Sequence, residues 1–322
     1  MGIDEIILAV NYMADKLRGY LGESFEGVKI RYSLESIPLG TGGPIKLAMR
    51  YLSKENPFLV VNGDILAEFD LKAMQKLHEK QKAMVTIGLH EVKDVSRFGV
   101  AKLRRNNQIV QFIEKPSNRQ APSHLVNAGI YMMTPEIFHY IPSGKKVIIE
   151  REIFPELARK GRLYGFLHKG LWFDIGDISD YKSANFILLR KISQRRPCVD
   201  PDAQVSASTR LEAPVYIGND SKIGSKAKLG PNTIVGGKCQ IDEGAIIEGS
   251  ILFDRVSIGR GTKVSNSIIA NDVIVGDNVR ITKGTIIAGH TVIFDSVRLT
   301  RNVIVHPYKE VRESVLKPGH VM

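Results

Sequence analysis

The sequence predicts an α/β domain of alternating strands and helices, followed by a parallel β-helix built from six-residue rungs. Three observations carry this. Short apolar runs rich in β-branched residues, such as Phe58-Leu59-Val60-Val61, alternate with helically spaced segments over residues 1–196, the pattern of a sheet with crossover helices. From Ile217 onward, aliphatic residues recur every six positions, the mark of a stacked-repeat coil. Between the two lies Pro197 to Pro201, which reads as a linker.

The elements of the first domain follow in order. Glu5 to Val10 is a buried strand, and Met13, Leu17, Tyr20 and Leu21 have helical spacing. Val28 to Tyr32 alternates as a strand does. Leu39-Gly40-Thr41-Gly42-Gly43 is a loop, and Pro44 is a good first helical residue for the segment reaching Leu52. The strand ending at Asn62-Gly63-Asp64 comes next, so the order is β-α-β-loop-α-β, which predicts parallel pairing through crossovers. Leu71 to Lys80 is a helix and Met84 to Leu89 a strand. Gly99 to Leu103 and Ile109 to Ile113 flank a turn-forming stretch and read as a hairpin. Val126 to Met132 is a strand with a polar interruption at Asn127. Glu152 to Lys160 is a short helix, Leu163 to Leu167 and Leu171 to Asp174 are strands, and Tyr181 to Ile192 is an amphipathic helix.

In the second domain, Ile217, Ile223, Leu229, Val235, Ile241 and Ile247 keep the six-residue period, and a glycine follows each of the first four. The register slips after Phe253, resumes at Ile258 and Val264, slips again, and continues at Val275, Ile281, Ile287 and Ile293. No single rung can bury its own apolar face, so the rungs must stack.

At 43% hydrophobic residues over 322 positions the composition is that of a globular protein. No apolar run approaches the length of a membrane span, and the acidic start, Met1-Gly2-Ile3-Asp4-Glu5, is unlike a signal peptide. Two cysteines, Cys198 and Cys239, cannot build a disulfide framework, which points to a cytoplasmic setting. Residues 1–196 hold 30 Lys and Arg against 21 Asp and Glu, whereas residues 197–322 hold 15 against 13. A basic first domain fits anionic ligands such as nucleotides and sugar phosphates, and equally a nucleic-acid surface. The Arg190-Lys191 and Arg195-Arg196 charges suit the C-terminal end of their helix and do not call for a nucleic acid.

In an open α/β sheet, ligands bind at the carboxyl ends of the strands. Asp64 stands there, and a carboxylate suits a hard cation such as Mg²⁺, which keeps waters and substrate phosphates as further ligands. Capping the helix that starts near Leu71 is the competing role.

Together these stretches resemble the sugar-1-phosphate nucleotidyltransferases, most closely the mannose-1-phosphate guanylyltransferase (GDP-mannose pyrophosphorylase) family. The matching pieces are Glu35 with Pro38-Leu39-Gly40-Thr41-Gly42-Gly43-Pro44, Val61-Asn62-Gly63-Asp64, Phe112-Ile113-Glu114-Lys115-Pro116, Asn127-Ala128-Gly129-Ile130-Tyr131, Ile149 to Pro155, Trp172 to Gly176, and the tail from His306 to Pro318. The resemblance implies a Rossmann-like mixed-sheet nucleotidyltransferase domain over 1–196. Over 197–322 it implies a left-handed parallel β-helix. It also implies transfer of a nucleotidyl group, from GTP to mannose 1-phosphate, giving GDP-mannose and pyrophosphate. Such a transfer needs alignment and charge neutralisation more than covalent help. Asp64 and Asp174 would hold Mg²⁺, and Lys115 would hold the sugar phosphate as a point charge. Glu114 and Asn127 would hydrogen-bond sugar hydroxyls beside Gly129. Leu39, Gly40, Thr41, Gly42 and Gly63 would admit the nucleotide, their small side chains leaving backbone groups approachable. Ordinary structural roles compete at each position, and Glu150 reads as the cap of the helix after it. Self-association through the β-helix is expected, since an uncovered coil exposes backbone and apolar surface.

One departure from the family stands out. Its opening strand and G-G-x-G-T-R-L loop, which cradles the triphosphate, have no counterpart here. The missing strand would lie between those at residues 5–10 and 58–62. Burying about five large apolar residues contributes roughly 7–15 kcal/mol, against about 5–15 kcal/mol for the stability of a whole domain. The first domain is therefore expected to be compromised and turnover impaired, unless a segment upstream or a partner supplies the loop. The alternative function is a non-catalytic sensor or regulatory homologue. A hexapeptide acyltransferase using His290 or His306 lacks a substrate-loop insertion, and a glycosyltransferase lacks a second carboxylate after Asp64-Ile65-Leu66.

Overall fold

The computed structural model describes residues 2–322, which divide into two compact units, one ending at Asp177 and the other running over 178–322. In the first unit the elements run β1 (Glu5–Val10), α1 (Ala14–Leu21), β2 (Ser24–Phe25), β3 (Val28–Leu34), α2 (Gly42–Ala48), β4 (Phe58–Val61), β5 (Ile65–Ala67) and α3 (Leu71–Lys80). They continue with β6 (Val85–Glu91), β7 (Gly99–Leu103), β8 (Ile109–Glu114), β9 (Leu125–Met133), α4 (Ile149–Glu152), α5 (Phe154–Arg159), β10 (Leu163–His168) and β11 (Trp172–Asp174). Helix α2 begins at Gly42, two residues before Pro44, because Pro44 sits in the first turn where its missing N–H costs nothing.

The central sheet is mixed. Strand β9 lies antiparallel to β4, to β6 and to β7, while β10 runs parallel to β6. Its core gathers Val85, Ile87 and Leu89 of β6, Tyr131 and Met133 of β9, and Phe154 and Leu157 of α5, all 2% exposed or less. The runs at 5–10 and 58–61, expected as buried strands, are only partly covered: Ile6 is 40% and Val61 48% exposed, because each of these strands has a neighbour on one edge alone.

One pairing expectation is corrected. The segments at 5–10, 28–32 and 58–62 were expected in one parallel sheet. Strands β1 and β3 do pair in parallel, but in a small sheet of their own with β2. Strand β4 joins the large sheet through β9 alone. So β1 and β4 each keep one edge unpaired among the described residues, and no strand of the described chain lies between them. The neighbourhood of β1 is correspondingly open: α1 buries no residue, and Tyr12 and Tyr20 are 84% and 83% exposed.

The second unit opens with α6 (Ile178–Ser193) and continues as a parallel β-solenoid with three sheets of eight, seven and six strands. Partners in adjacent coils are 18 residues apart where three six-residue rungs are complete, as in Tyr216↔Ile234. They are 17 apart at Ile234↔Ile251 and Ile251↔Ile268, which accounts for the slips in the sequence period. The aliphatic column from Ile217 to Ile293 is buried throughout. Buried hydroxyls tie coil to coil: Ser221 Oγ donates to the Gly236 carbonyl at 2.8 Å and Thr262 Oγ1 to that of Gly276 at 2.7 Å. Helix α6 belongs to this unit. Its Ala184 and Leu189 are buried, and Ser193 Oγ accepts from the Val215 N–H at 3.2 Å.

Candidate active site

Asp64 follows β4, and Asp174 ends β11. The two come together because β11 pairs antiparallel with β5, the strand just after Asp64, aligning Asp174 with Ile65. The Ile175 N–H donates to the Asp64 carbonyl at 2.8 Å. Both carboxylates then flank Gly176: a Cβ there would lie 3.1 Å from Asp64 Oδ2 and 3.2 Å from Asp174 Oδ1. Asp64 does not cap α3. Asp70 does, its Oδ1 accepting from the Ala73 N–H at 2.9 Å. Trp172 holds β11 in place by donating its Nε1–H to the Ala128 carbonyl at 2.9 Å, which ties Asp174 to the strand carrying Asn127 and Gly129.

Gly129 adopts φ +70, and a Cβ there would meet Asn62 Nδ2 at 2.9 Å, so glycine is required for backbone conformation and space alike. The Asn62 N–H donates to the Gly129 carbonyl at 2.8 Å. Asn127 Oδ1 accepts from the Gly129 N–H at 3.0 Å, and its Nδ2 donates to the Tyr131 hydroxyl at 2.9 Å. The Tyr131 ring is buried, and burial, followed by the charge on Glu150, pushes its hydroxyl pKa up.

Glu114, ending β8, is half-buried beside Gly99, where a Cβ would lie 2.7 Å from its Oε2. Burial, and then the nearby Glu150 charge, hold its carboxyl above the usual range, while Lys115 and Arg151 pull the other way. Lys115 is exposed with φ +50, and its N–H donates to the Phe98 carbonyl at 3.0 Å. It forms no ion pair among the described residues.

Sequence reasoning missed Glu150 as part of this cluster. It is 8% exposed, and Thr41 Oγ1 donates to its Oε2 at 2.6 Å while accepting from the Ile149 N–H at 3.0 Å. The expected cap is supplied instead by Glu152, whose Oε1 accepts from the Ile148 N–H at 2.6 Å. Thr41 therefore connects the glycine loop to the carboxylates. The glycines of that loop also have an internal reason. Gly40 bridges Val147 with φ +78, and the Gly42 N–H donates to the Val147 carbonyl at 2.9 Å. The space beside them that would hold a Cβ is filled by Val147. Gly63 faces open space.

Among the described residues no three His, Cys, Asp or Glu side chains form a ready-made metal cage. A pair of carboxylates with the open side of Gly176 between them is the donor set of a Mg²⁺-type ion completed by water and phosphate oxygens.

A chain of this class, with carboxylates at two strand ends in its first unit and a β-solenoid as its second, matches known proteins along its length. The family model described as "Nucleotidyl transferase" covers residues 1–191, and the one described as "GMPPB C-terminal domain" covers 211–321. The chain belongs to the nucleotidyl transferase family. Within it, the chain is 30% identical over 328 residues to mannose-1-phosphate guanylyltransferase 1 of Arabidopsis thaliana, covering 100% of this chain and 88% of that one. It is 32% identical over 306 residues to the mannose-1-phosphate guanylyltransferase catalytic subunit beta of Dictyostelium discoideum, covering 88% and 83%. The crystal structure of a UDP-glucose pyrophosphorylase complexed with UDP-glucose shares the fold, with a TM-score of 0.52 at 22% identity over 58% of this chain and 81% of that one. No helix of the described residues is long and apolar enough to cross a membrane.

Proposed function

We propose that the chain transfers a guanylyl group from GTP to mannose 1-phosphate. A phosphate oxygen of the sugar phosphate forms a bond to the α-phosphorus. The bond from that phosphorus to the bridging oxygen breaks, and pyrophosphate leaves with the electron pair. The observation that supports this most is the meeting of Asp64 and Asp174, distant in sequence, on either side of Gly176. Nucleotidyl transferases of this family generally use a divalent metal. Asp64 and Asp174 would hold Mg²⁺, which when bound neutralises charge on the triphosphate. Lys115 would grip the sugar phosphate, and its lack of an ion pair among the described residues leaves its charge available. Glu114 and Asn127 would accept from and donate to the sugar hydroxyls, with Gly129 leaving room beside the ring. Thr41, fixed by Glu150, would set the nucleotide loop formed by Leu39, Gly40 and Gly42, with Gly63 at its rim.

The sensor alternative is not favoured, because the full-length relatives are named as transferases. A cytoplasmic homo-oligomer assembled through the solenoid fits the same reading, since end coils leave strand edges free to pair. The test is release of pyrophosphate from GTP and mannose 1-phosphate with Mg²⁺, followed with a coupled phosphate assay. Turnover confined to GTP and mannose 1-phosphate bears the proposal out. Turnover with a different nucleotide or sugar, or binding of GDP-mannose with no turnover, overturns it.

A further inference from the structure

At the edge of the large sheet opposite the aspartates, a cavity of about 380 Å³ opens among the strand ends. It is lined by His78 and Glu79 from the last turn of α3, Lys82 beyond it, Thr134 after β9, Glu136, and Arg162 just before β10. Asp64 follows the carboxyl end of β4, whereas Pro57, which also borders the cavity, precedes its amino end.

The lining has donors that lack acceptors. His78 is 2% exposed, and its Nδ1 lies 2.9 Å from Thr86 Oγ1. With the buried Thr86 hydroxyl as the donor to Nδ1, the tautomer that gives its proton an acceptor, the ring proton is on Nε2. That Nε2 is buried and unpartnered. The Nε of Arg162 is likewise buried and unpartnered, while its Nη2 donates to Glu136 Oε2 at 2.6 Å. The Glu79 carboxylate is also engaged, its Oε1 accepting from Gln75 Nε2 at 2.8 Å. Each acid thus has one oxygen engaged, and Glu136 is paired with Arg162. Two N–H donors and the Lys82 ammonium, which forms no ion pair among the described residues, remain for an acceptor. Leaving such groups unmatched is costly, and a charged acceptor is the strongest match.

We propose that this cavity is a second binding site, for the phosphoryl group of a small phosphorylated metabolite. His78 Nε2–H, Arg162 Nε–H and Lys82 contact its oxygens, and Thr134 and the rim carboxylates face the remainder. The volume is at the small end for ligand sites, which suits a phosphorylated sugar. The site is distinct from the transfer centre, at the other end of β4. Helix α3, about 15 Å long, runs from Leu71 to Lys80 and brings His78 and Glu79 to the cavity.

The experiment is a titration of the ¹⁵N-histidine-labelled chain with inorganic phosphate and, separately, with glucose 6-phosphate, which carries no anomeric phosphate for transfer. The His78 ring signal is assigned by its loss in His78→Gln. A saturable shift of that signal, half-complete below about 10 mM, is expected. Arg162→Ala, at a half-exposed side chain, and Lys82→Gly, which suits the φ of +47 there, should each weaken binding by about tenfold. Lys115→Ala should leave it unchanged. Tighter binding of glucose 6-phosphate than of phosphate assigns the site to a sugar phosphate, and equal binding assigns it to the phosphoryl group alone; either supports the site. No saturable shift with either probe overturns it. So does a shift lost in Lys115→Ala but kept in Arg162→Ala and Lys82→Gly.

Discussion

Glu114 carries the most informative electrostatics in the molecule. Its carboxyl pKa is raised, first by burial and then by Glu150. The folded value lies above the unfolded one, so the folded chain holds this proton more tightly. Ionisation of Glu114 therefore lowers stability as pH rises past the ordinary carboxyl value of 4.5. Glu114→Gln should melt at the parent's temperature in acid and above it at neutral pH, the gap opening as pH increases; a gap independent of pH would contradict this. The same variant should lose about tenfold or more in kcat/KM, because an amide accepts sugar hydroxyls less strongly than a carboxylate. Thr41→Val removes the hydroxyl that bridges Glu150 and the Ile149 N–H and leaves a buried carboxylate underbonded. Denaturant melts should show a loss of about 1–3 kcal/mol, smaller when Glu150 is already Gln, where the unmet Ile149 N–H remains but no buried charge is left underbonded. Asp64 and Asp174 were legible because one follows an apolar strand and the other ends one. Glu150 was not: its partner Thr41 is 109 residues away, and nothing local distinguishes a buried acid from a cap. The Trp172 bond to the Ala128 carbonyl is hidden for the same reason.

At the level of elements, the six-residue period made the solenoid readable from Ile217 to Ile293, since each inward position repeats one contact and one-residue slips are visible as broken period; the strands at 198–211 and 298–321 lie outside that stretch. Ile281, 1% exposed in the middle of the column, should cost about 2–5 kcal/mol on change to Ala, read from the denaturation midpoint of the second unit. Pairing between distant strands was less legible. The run at 58–61 announces a buried strand, yet its antiparallel partner lies at 130–133, and an apolar run carries no direction. Helix α3 adds a pH effect. Burial lowers the His78 pKa from 6.5 to about 4. Its contribution to stability is complete above pH 6.5 and is lost as pH falls toward 4, roughly 3 kcal/mol in all. His78→Gln should flatten the acid limb of the stability curve over that window, measured by urea melts; an unchanged slope would count against a neutral buried ring.

For the whole molecule, the division at 177/178 assigns α6 to the solenoid, whereas the change in sequence pattern placed the boundary after residue 196. The pattern is blind here because an amphipathic helix reads alike on either side of a linker. A fragment of residues 178–322 should therefore melt higher than one of 197–322, which loses buried Ala184 and Leu189 and the Ser193 bond to Val215. Equal melting would place α6 outside the solenoid's stabilising core.

Asp64 and Asp174 are proposed to act as one cation site in nucleotidyl transfer. Electron paramagnetic resonance of Mn²⁺, standing in for Mg²⁺, tests it directly and without relying on turnover. With GTP present, the parent chain should bind Mn²⁺, and Asp64→Asn and Asp174→Asn should each weaken that binding by about tenfold or more. Mn²⁺ binding that survives both substitutions unchanged would contradict the account.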